Sequence, residues 1–225
     1  MSEQSRGKFI VIEGPDGAGS STQVERISNY FLEKGNKVLV TKEPTNNLIG
    51  GLIRGVLTHQ WTLDSYAIQL LFCADRAHHL DWEIEPALNR GMYVVVDRYV
   101  PSTVVFGASS VPNTSKYGGN YDFWWNKLME LNKPFLVPDL TILLDIDPQV
   151  CVDRISMRAS KELFEVHDVL LRVTQGYKRF AQEYPNTVLV SAQGSRDEVY
   201  ARIVNTIEDK LKFSSVNPAS ATPSL

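Results

Sequence analysis

The chain has 225 residues, enough for one domain or for one domain with an inserted lid, and its 43% hydrophobic residues supply a sizeable core. A formal net charge of −3 gives no global basic field for nucleic acid or an anionic membrane, so neither is an expected partner and any anion must be held by local groups. The polar start MSEQSRGK, the lack of any apolar stretch near about 18 residues, and Cys73 and Cys151 lying in apolar helical patterns predict a soluble, cytoplasmic protein with reduced thiols.

The first predicted strand is FIVIE (9–13), followed at once by GPDGAGSS (14–21). In the phosphate-loop pattern G-x-x-x-x-G-K-[ST], Gly14, Gly19 and Ser21 fall in register, with Pro15, Asp16, Gly17 and Ala18 between the glycines. The lysine position holds Ser20. Backbone N–H groups at a helix N-terminus bind phosphate without a lysine, and a hydroxyl at Ser21 suits Mg²⁺. The competing reading is a tight strand-to-helix turn with a serine N-cap, in which Asp16 only complements the helix dipole.

A helix is predicted over Ser21–Lys34, with Val24, Ile27, Tyr30 and Phe31 on one face and Gly35 as its stop. The strand KVLVT (37–41) leads into KEPT (42–45), and helices follow at about 65–80 and 82–90. YVVVD (93–97) ends in DRY (97–99), and a helix is expected over 122–131. LTILLDI (140–146) leads into helices at 148–158 and 166–183. TVLVS (187–191) and a helix at 196–212 close the pattern.

The strands are short and nearly continuous in Val, Ile and Leu, the mark of strands buried on both faces of a parallel sheet. The fold expected is α/β: a five-stranded parallel sheet with helices on both faces. One domain covers 8–213, and 1–7 with the Ser/Pro/Ala-rich 214–225 are expected to be flexible tails. Ligand should sit beyond the carboxyl ends of the strands, where the first three are followed by polar and charged residues. The histidines are 59, 78, 79 and 167; His78 and His79 point about 100° apart on a helix and cannot share a metal. There is no zinc pattern and no nucleophile–histidine–acid triad.

EGPDGAG, then LLFCADRAHHL (70–80), VVVDRYVPSTVVFGA (94–108) and LLDIDP (143–148) occur in the order in which thymidylate kinases carry an E-G-x-D-G-A-G loop, L-F-x-x-D-R, D-R-Y-x-x-S and L-L-D-x-D-P. The chain resembles that family over roughly residues 8–212. The resemblance implies a P-loop kinase fold with a short arginine-bearing lid at about 154–165. It also implies a homodimer and the reaction dTMP + ATP → dTDP + ADP with Mg²⁺.

Residue by residue, the resemblance makes Gly14 to Ser21 the ATP-binding loop, with Ser21 and Asp16 toward the metal. Phe72 resembles the aromatic that stacks on thymine, and Arg76, one turn on, the arginine that reads its O4. A core phenylalanine and an ion pair of Arg76 with Asp75 or Asp81 are the plainer readings. Arg98 resembles the bidentate clamp on the monophosphate. Ser102 and Thr103 occupy base-facing positions, and Phe106 the place of a ring that excludes a ribose 2′-OH. KEPTNN resembles an R-E-P-G-G turn, departing from it at Lys42 and Thr45, and Arg54 matches an arginine near the acceptor phosphate. In the lid, Arg154, Arg158 and Lys161 form one cationic edge or an exposed basic helix end. Some relatives carry an arginine in the loop where Gly17 stands here, so lid arginines should supply the charge, Arg158 foremost.

The acceptor is already an oxyanion, so positioning and charge neutralisation are the expected means of catalysis, with Asp16, Arg98 and Arg158 as the groups that act. Two alternatives stand beside this reading. One is a kinase for another nucleoside monophosphate, or for a deoxynucleoside with Glu13 or Glu43 as base. The other, motivated by Ser20, is a nucleotide-binding pseudokinase.

Overall fold

The computed structural model describes residues 6–114, 116–156 and 163–211. Five parallel strands, β1 (Phe9–Glu13), β2 (Val38–Lys42), β3 (Tyr93–Asp97), β4 (Leu140–Asp145) and β5 (Thr187–Ser191), form one sheet in the order β2-β3-β1-β4-β5. The register sets Ile12 beside Asp97 and beside Ile142, so β1, β3 and β4 end at one level. From β1 the chain runs to the β2 edge, and from β3 it runs to β4 on the other side of β1. The connections therefore diverge beyond the carboxyl ends of β1 and β3, which opens a crevice there.

Both faces are buried, as the unbroken apolar strands require. Phe9, Val11, Val94 and Val96 pack under α5 (Val100–Thr114), α6 (Tyr121–Asn132) and α8 (Leu163–Glu183). Ile10, Ile12, Val95 and Ile142 pack under α1 (Ser20–Glu33) and α9 (Arg196–Leu211).

Two helices depart from the sequence expectation. The first is α2 (Leu48–Leu57), whose LIGGLIRGVL carries three glycines; it starts because the Asn47 side chain accepts from the Gly50 N–H. The second is α5, rich in β-branched residues and with a proline in its first turn. Tertiary burial overrides those local preferences: Val100, Val104, Val105, Ala108 and Val111 are all fully buried. Helix α3 (Ser65–His79) continues through a π turn (Leu80–Ile84) into α4 (Glu85–Asn89), so the expected break near residue 81 is a widened turn. Helix α7 is Pro148–Ser156 and takes in the start of the expected lid; Arg158, Lys161 and the segment 214–225 lie outside the described residues. Among the described residues no helix is long and apolar enough to cross a membrane.

Candidate active site

The glycine loop turns from β1 into α1 with Gly19, at φ 93, as N-cap. Among the described residues no side chain caps the helix there, so the serine-cap reading does not hold and the first-turn N–H groups stay available to an anion. Gly14 is demanded by close approach: a Cβ there would lie 3.0 Å from that of Ala18 and 3.1 Å from that of Leu144. Ser20 is buried, and the Ser21 hydroxyl turns instead to the end of β3, donating to Asp97 Oδ2. The other Asp97 oxygen is buried and has no hydrogen-bond partner among the described residues.

Directly after β3, Arg98 has φ 71, a left-handed backbone that is uncommon outside glycine. Glu13, at the end of β1, holds that turn by accepting from the N–H groups of Tyr99 (2.7 Å) and Ser102 (3.1 Å). Its second oxygen takes the hydroxyls of Ser102 (2.7 Å) and Tyr177 (3.0 Å). Burial pushes the Glu13 carboxyl up, while Arg98 and these hydrogen bonds pull it back. The Arg98 fork donates to Ser102 Oγ (3.0 Å) and to Asp16 Oδ1 (2.6 Å) in the glycine loop, and its guanidinium carbon lies 5.3 Å from the Phe106 ring centre. Burial works against its charge, but Tyr177, Asp16, Glu13 and Asp97 together raise its pKa beyond the ordinary guanidinium value. Each Nη keeps a second N–H outside these bonds, since guanidinium has five.

Arg76 is 1% exposed and pairs with neither Asp75 nor Asp81. Its Nε and Nη2 donate to Glu43 Oε2 (3.0 and 2.7 Å), Nη2 also to Thr103 Oγ1 (2.8 Å), and Nη1 to Asn132 Oδ1. Burial works against this charge too, but Glu43, Tyr99 and Cys73 together outweigh it, so its pKa is raised. Beyond Glu43, His79 Nδ1 sits 3.2 Å from Oε1 and its Nε2 2.9 Å from Thr41 Oγ1. Asp75 instead ties down the KEPT turn, accepting from Thr45 N–H (2.7 Å) and Oγ1 (2.6 Å). Arg54 closes that turn by donating to the Thr45 and Pro44 carbonyls. Phe72 is half-buried one turn before Arg76 on α3.

On the other side of the loop, Arg154 of α7 donates to the Gly17 carbonyl at 3.0 Å. A cavity of about 270 Å³ opens here between Gly17–Gly19, Gln23, Ala192, Gly194 and the start of α9. The structure thus brings Asp16, Ser21, Arg98, Ser102 and Phe106 together, and Arg76 with Thr103 beside them. His78 and His79 go to separate partners, Asn47 and the Glu43 network. Among the described residues no cluster of three metal-binding side chains occurs.

Sequence reasoning passed over the supporting part of Glu13, Asn132 and Tyr177. Glu13 was signalled by its place at the strand end before the loop; Tyr177, 164 residues further on, had no local signal. Glu13 and Glu43 are each committed to several donors, which leaves neither free as base for a neutral hydroxyl.

The sequence model of a family described as Thymidylate kinase matches residues 12–203. A probable thymidylate kinase of Thermococcus gammatolerans is 36% identical over 91% of this chain and 98% of its own length. One of Pyrococcus horikoshii is 34% identical over 92% and 98%. A thymidylate kinase of Caldicellulosiruptor saccharolyticus is 32% identical over 92% and 98%.

Proposed function

The chain belongs to the thymidylate kinase family and phosphorylates dTMP to dTDP, and from that premise we propose how its own residues carry the transfer from ATP. The observation that carries the reading is the Asp16–Arg98 pair at 2.6 Å. It ties the glycine loop, which would hold the donor phosphates, to the arginine that would hold the acceptor. Two mutually repelling anions are thereby given adjoining sites, and positioning is the larger part of this chemistry.

The donor phosphates lie on the uncapped N–H groups of α1. The acceptor phosphate takes the remaining N–H groups of Arg98, with Arg54 near it. Phe106 packs against the sugar, and the base lies on Phe72 with Ser102 and Thr103 beside it. Arg76 is already neutralised by Glu43, so its remaining Nη1 N–H suits a neutral carbonyl, thymine O4, better than an anion. Mg²⁺ fits the residues present: the Ser21 hydroxyl and Asp97, one of whose oxygens lacks a partner among the described residues, would hold it, with Asp16 close by. Bound there it would neutralise and orient the donor phosphate oxygens.

Ser20 leaves the loop without its cation. Arg154, already bonded to the Gly17 carbonyl, is the described residue that supplies one. Arg158 remains a second source by its place in the lid. A homodimer in the cytoplasm completes the reading; the exposed Leu48 and Leu52, one turn apart on α2, support the first and the free Cys73 and Cys151 suit the second.

A coupled ADP-release assay with a panel of nucleoside monophosphates tests this. Cytosine's amine faces a donor and leaves the remaining Nη1 N–H of Arg76 unpaired, so kcat/KM for dTMP should exceed that for dCMP by at least roughly tenfold. Equal values would overturn the base assignment.

A further inference from the structure

His79 is the last residue of α3 and is 1% exposed, yet no step proposed above uses it. Its Nδ1 lies 3.2 Å from Glu43 Oε1, and a carboxylate paired with Arg76 only accepts, so Nδ1 carries a proton. At the other end of the ring, Nε2 is 2.9 Å from Thr41 Oγ1, which is itself 3.1 Å from Glu83 Oε2 in the π turn. The Thr41 hydroxyl has a single hydrogen, so it serves either Glu83 or Nε2. In both arrangements Nδ1 is the donor to Glu43.

That bond shows in how Glu43 meets Arg76. An arginine and a carboxylate often pair fork to fork, two oxygens on two nitrogens. Here Nε (3.0 Å) and Nη2 (2.7 Å) converge on the single oxygen Oε2, and Oε1 is turned to the histidine. Nη2 also reaches Thr103 and Nη1 reaches Asn132, which leaves one N–H on Nη1. With Oε1 released, the carboxylate would rotate onto Nε and Nη2 as a fork and draw the guanidinium out of register with Thr103 and Asn132.

We propose that His79 is a positioning residue for base recognition: its Nδ1–H keeps Glu43 on Arg76 through one oxygen, and so fixes the direction of the remaining Nη1 N–H. The inference rests on the reading that Arg76 meets the base of the acceptor. His79 acts only through Glu43, which stands between it and Arg76. A contact to the base is made alike in the ground and transition states, so its loss appears in KM rather than in kcat.

Three variants separate the donor from the ring. His79→Phe keeps a ring and removes both nitrogens, His79→Asn puts an amide N–H where Nδ1 stands, and His79→Gln carries its amide to the Nε2 end. KM for dTMP should rise about tenfold in the Phe and Gln variants, with kcat and KM for ATP within about twofold. The preference for dTMP over dCMP should narrow by a similar factor. His79→Asn should stay within about threefold of the wild type in both respects. In heteronuclear NMR the Arg76 Nε–H resonance should move in the Phe and Gln variants and return in the Asn variant. If His79→Phe does not fold, the Asn and Gln variants carry the comparison. A purely structural histidine would lower the melting temperature without touching base choice. An unchanged preference in a folded Phe or Gln variant, or an Asn variant no better than the Gln one, therefore overturns the proposal. Failure of the underlying reading looks different: Arg76→Met would keep the preference for dTMP. The Arg76 resonance would then decide alone whether His79 positions this arginine, and an unmoved signal would overturn that too.

Discussion

The two halves of the crevice are built on opposite plans. On the proposed acceptor side most polar groups are already spent on one another. Glu43 binds Arg76 and His79, Arg76 reaches Thr103 and Asn132, and Glu13 holds Ser102, Tyr99 and Tyr177 around Arg98. On the donor side they are left open. Among the described residues the N-terminus of α1 has no side-chain cap, and one oxygen each of Asp97 and Gln23 is buried without a partner. On the function proposed above, the difference follows from what each half would recognise. A base and a monophosphate are told apart by rigid, preset donors, and a low-dielectric network fixes such donors in place. A triphosphate with its cation brings many charges of its own, and groups held in reserve can meet them.

The comparison predicts that damage to the acceptor half is felt first as lost stability. Glu43→Ala leaves Arg76 as a buried charge without its counter-ion and should cost about 3–5 kcal/mol in urea denaturation. Arg76→Met on that background should recover much of it, since an apolar pair needs no neutralisation. If Glu43→Ala unfolds like the wild type, the network is not what holds this half. A smaller effect is expected at Arg98, whose side chain is 24% exposed at the rim between the halves. Arg98→Lys keeps the charge and loses the fork, so kcat/KM for dTMP should drop roughly tenfold or more, about 1.4 kcal/mol, with the midpoint of unfolding nearly unchanged. Normal kinetics would place the monophosphate elsewhere.

Much of the donor half was legible in the sequence because its parts are contiguous: a strand, a glycine loop and a helix follow one another from Phe9 to Glu33. The five strands were legible for a similar reason, as runs of Val, Ile and Leu buried on two faces. Arg76, Arg98, Ser102 and Thr103 were picked out by their surrounding motifs, but their partners were not. Asn132 reaches Arg76 across 56 residues and Tyr177 reaches Glu13 across 164, and nothing local to either residue encodes that meeting. The alternative pairing of Arg76 with Asp75 failed because adjacent helical residues point apart, while Glu43 on the neighbouring strand end faces it. Helix α5 escaped notice because its valines and Pro101 disfavour a helix until the sheet and α6 bury them.

The central claim is that this loop transfers phosphate without its lysine because Arg154 brings the charge. Steady-state dTMP-dependent ADP release, measured with ATP binding on the same proteins, tests it in one series: wild type, Arg154→Ala, and Ser20→Lys/Arg154→Ala. Removing a preorganised charge stabiliser typically costs about 10²–10³ in rate. Arg154→Ala should therefore lose most of its turnover with ATP affinity within a few fold, and the double variant should regain part of it. An Arg154→Ala protein with wild-type kcat would contradict the account.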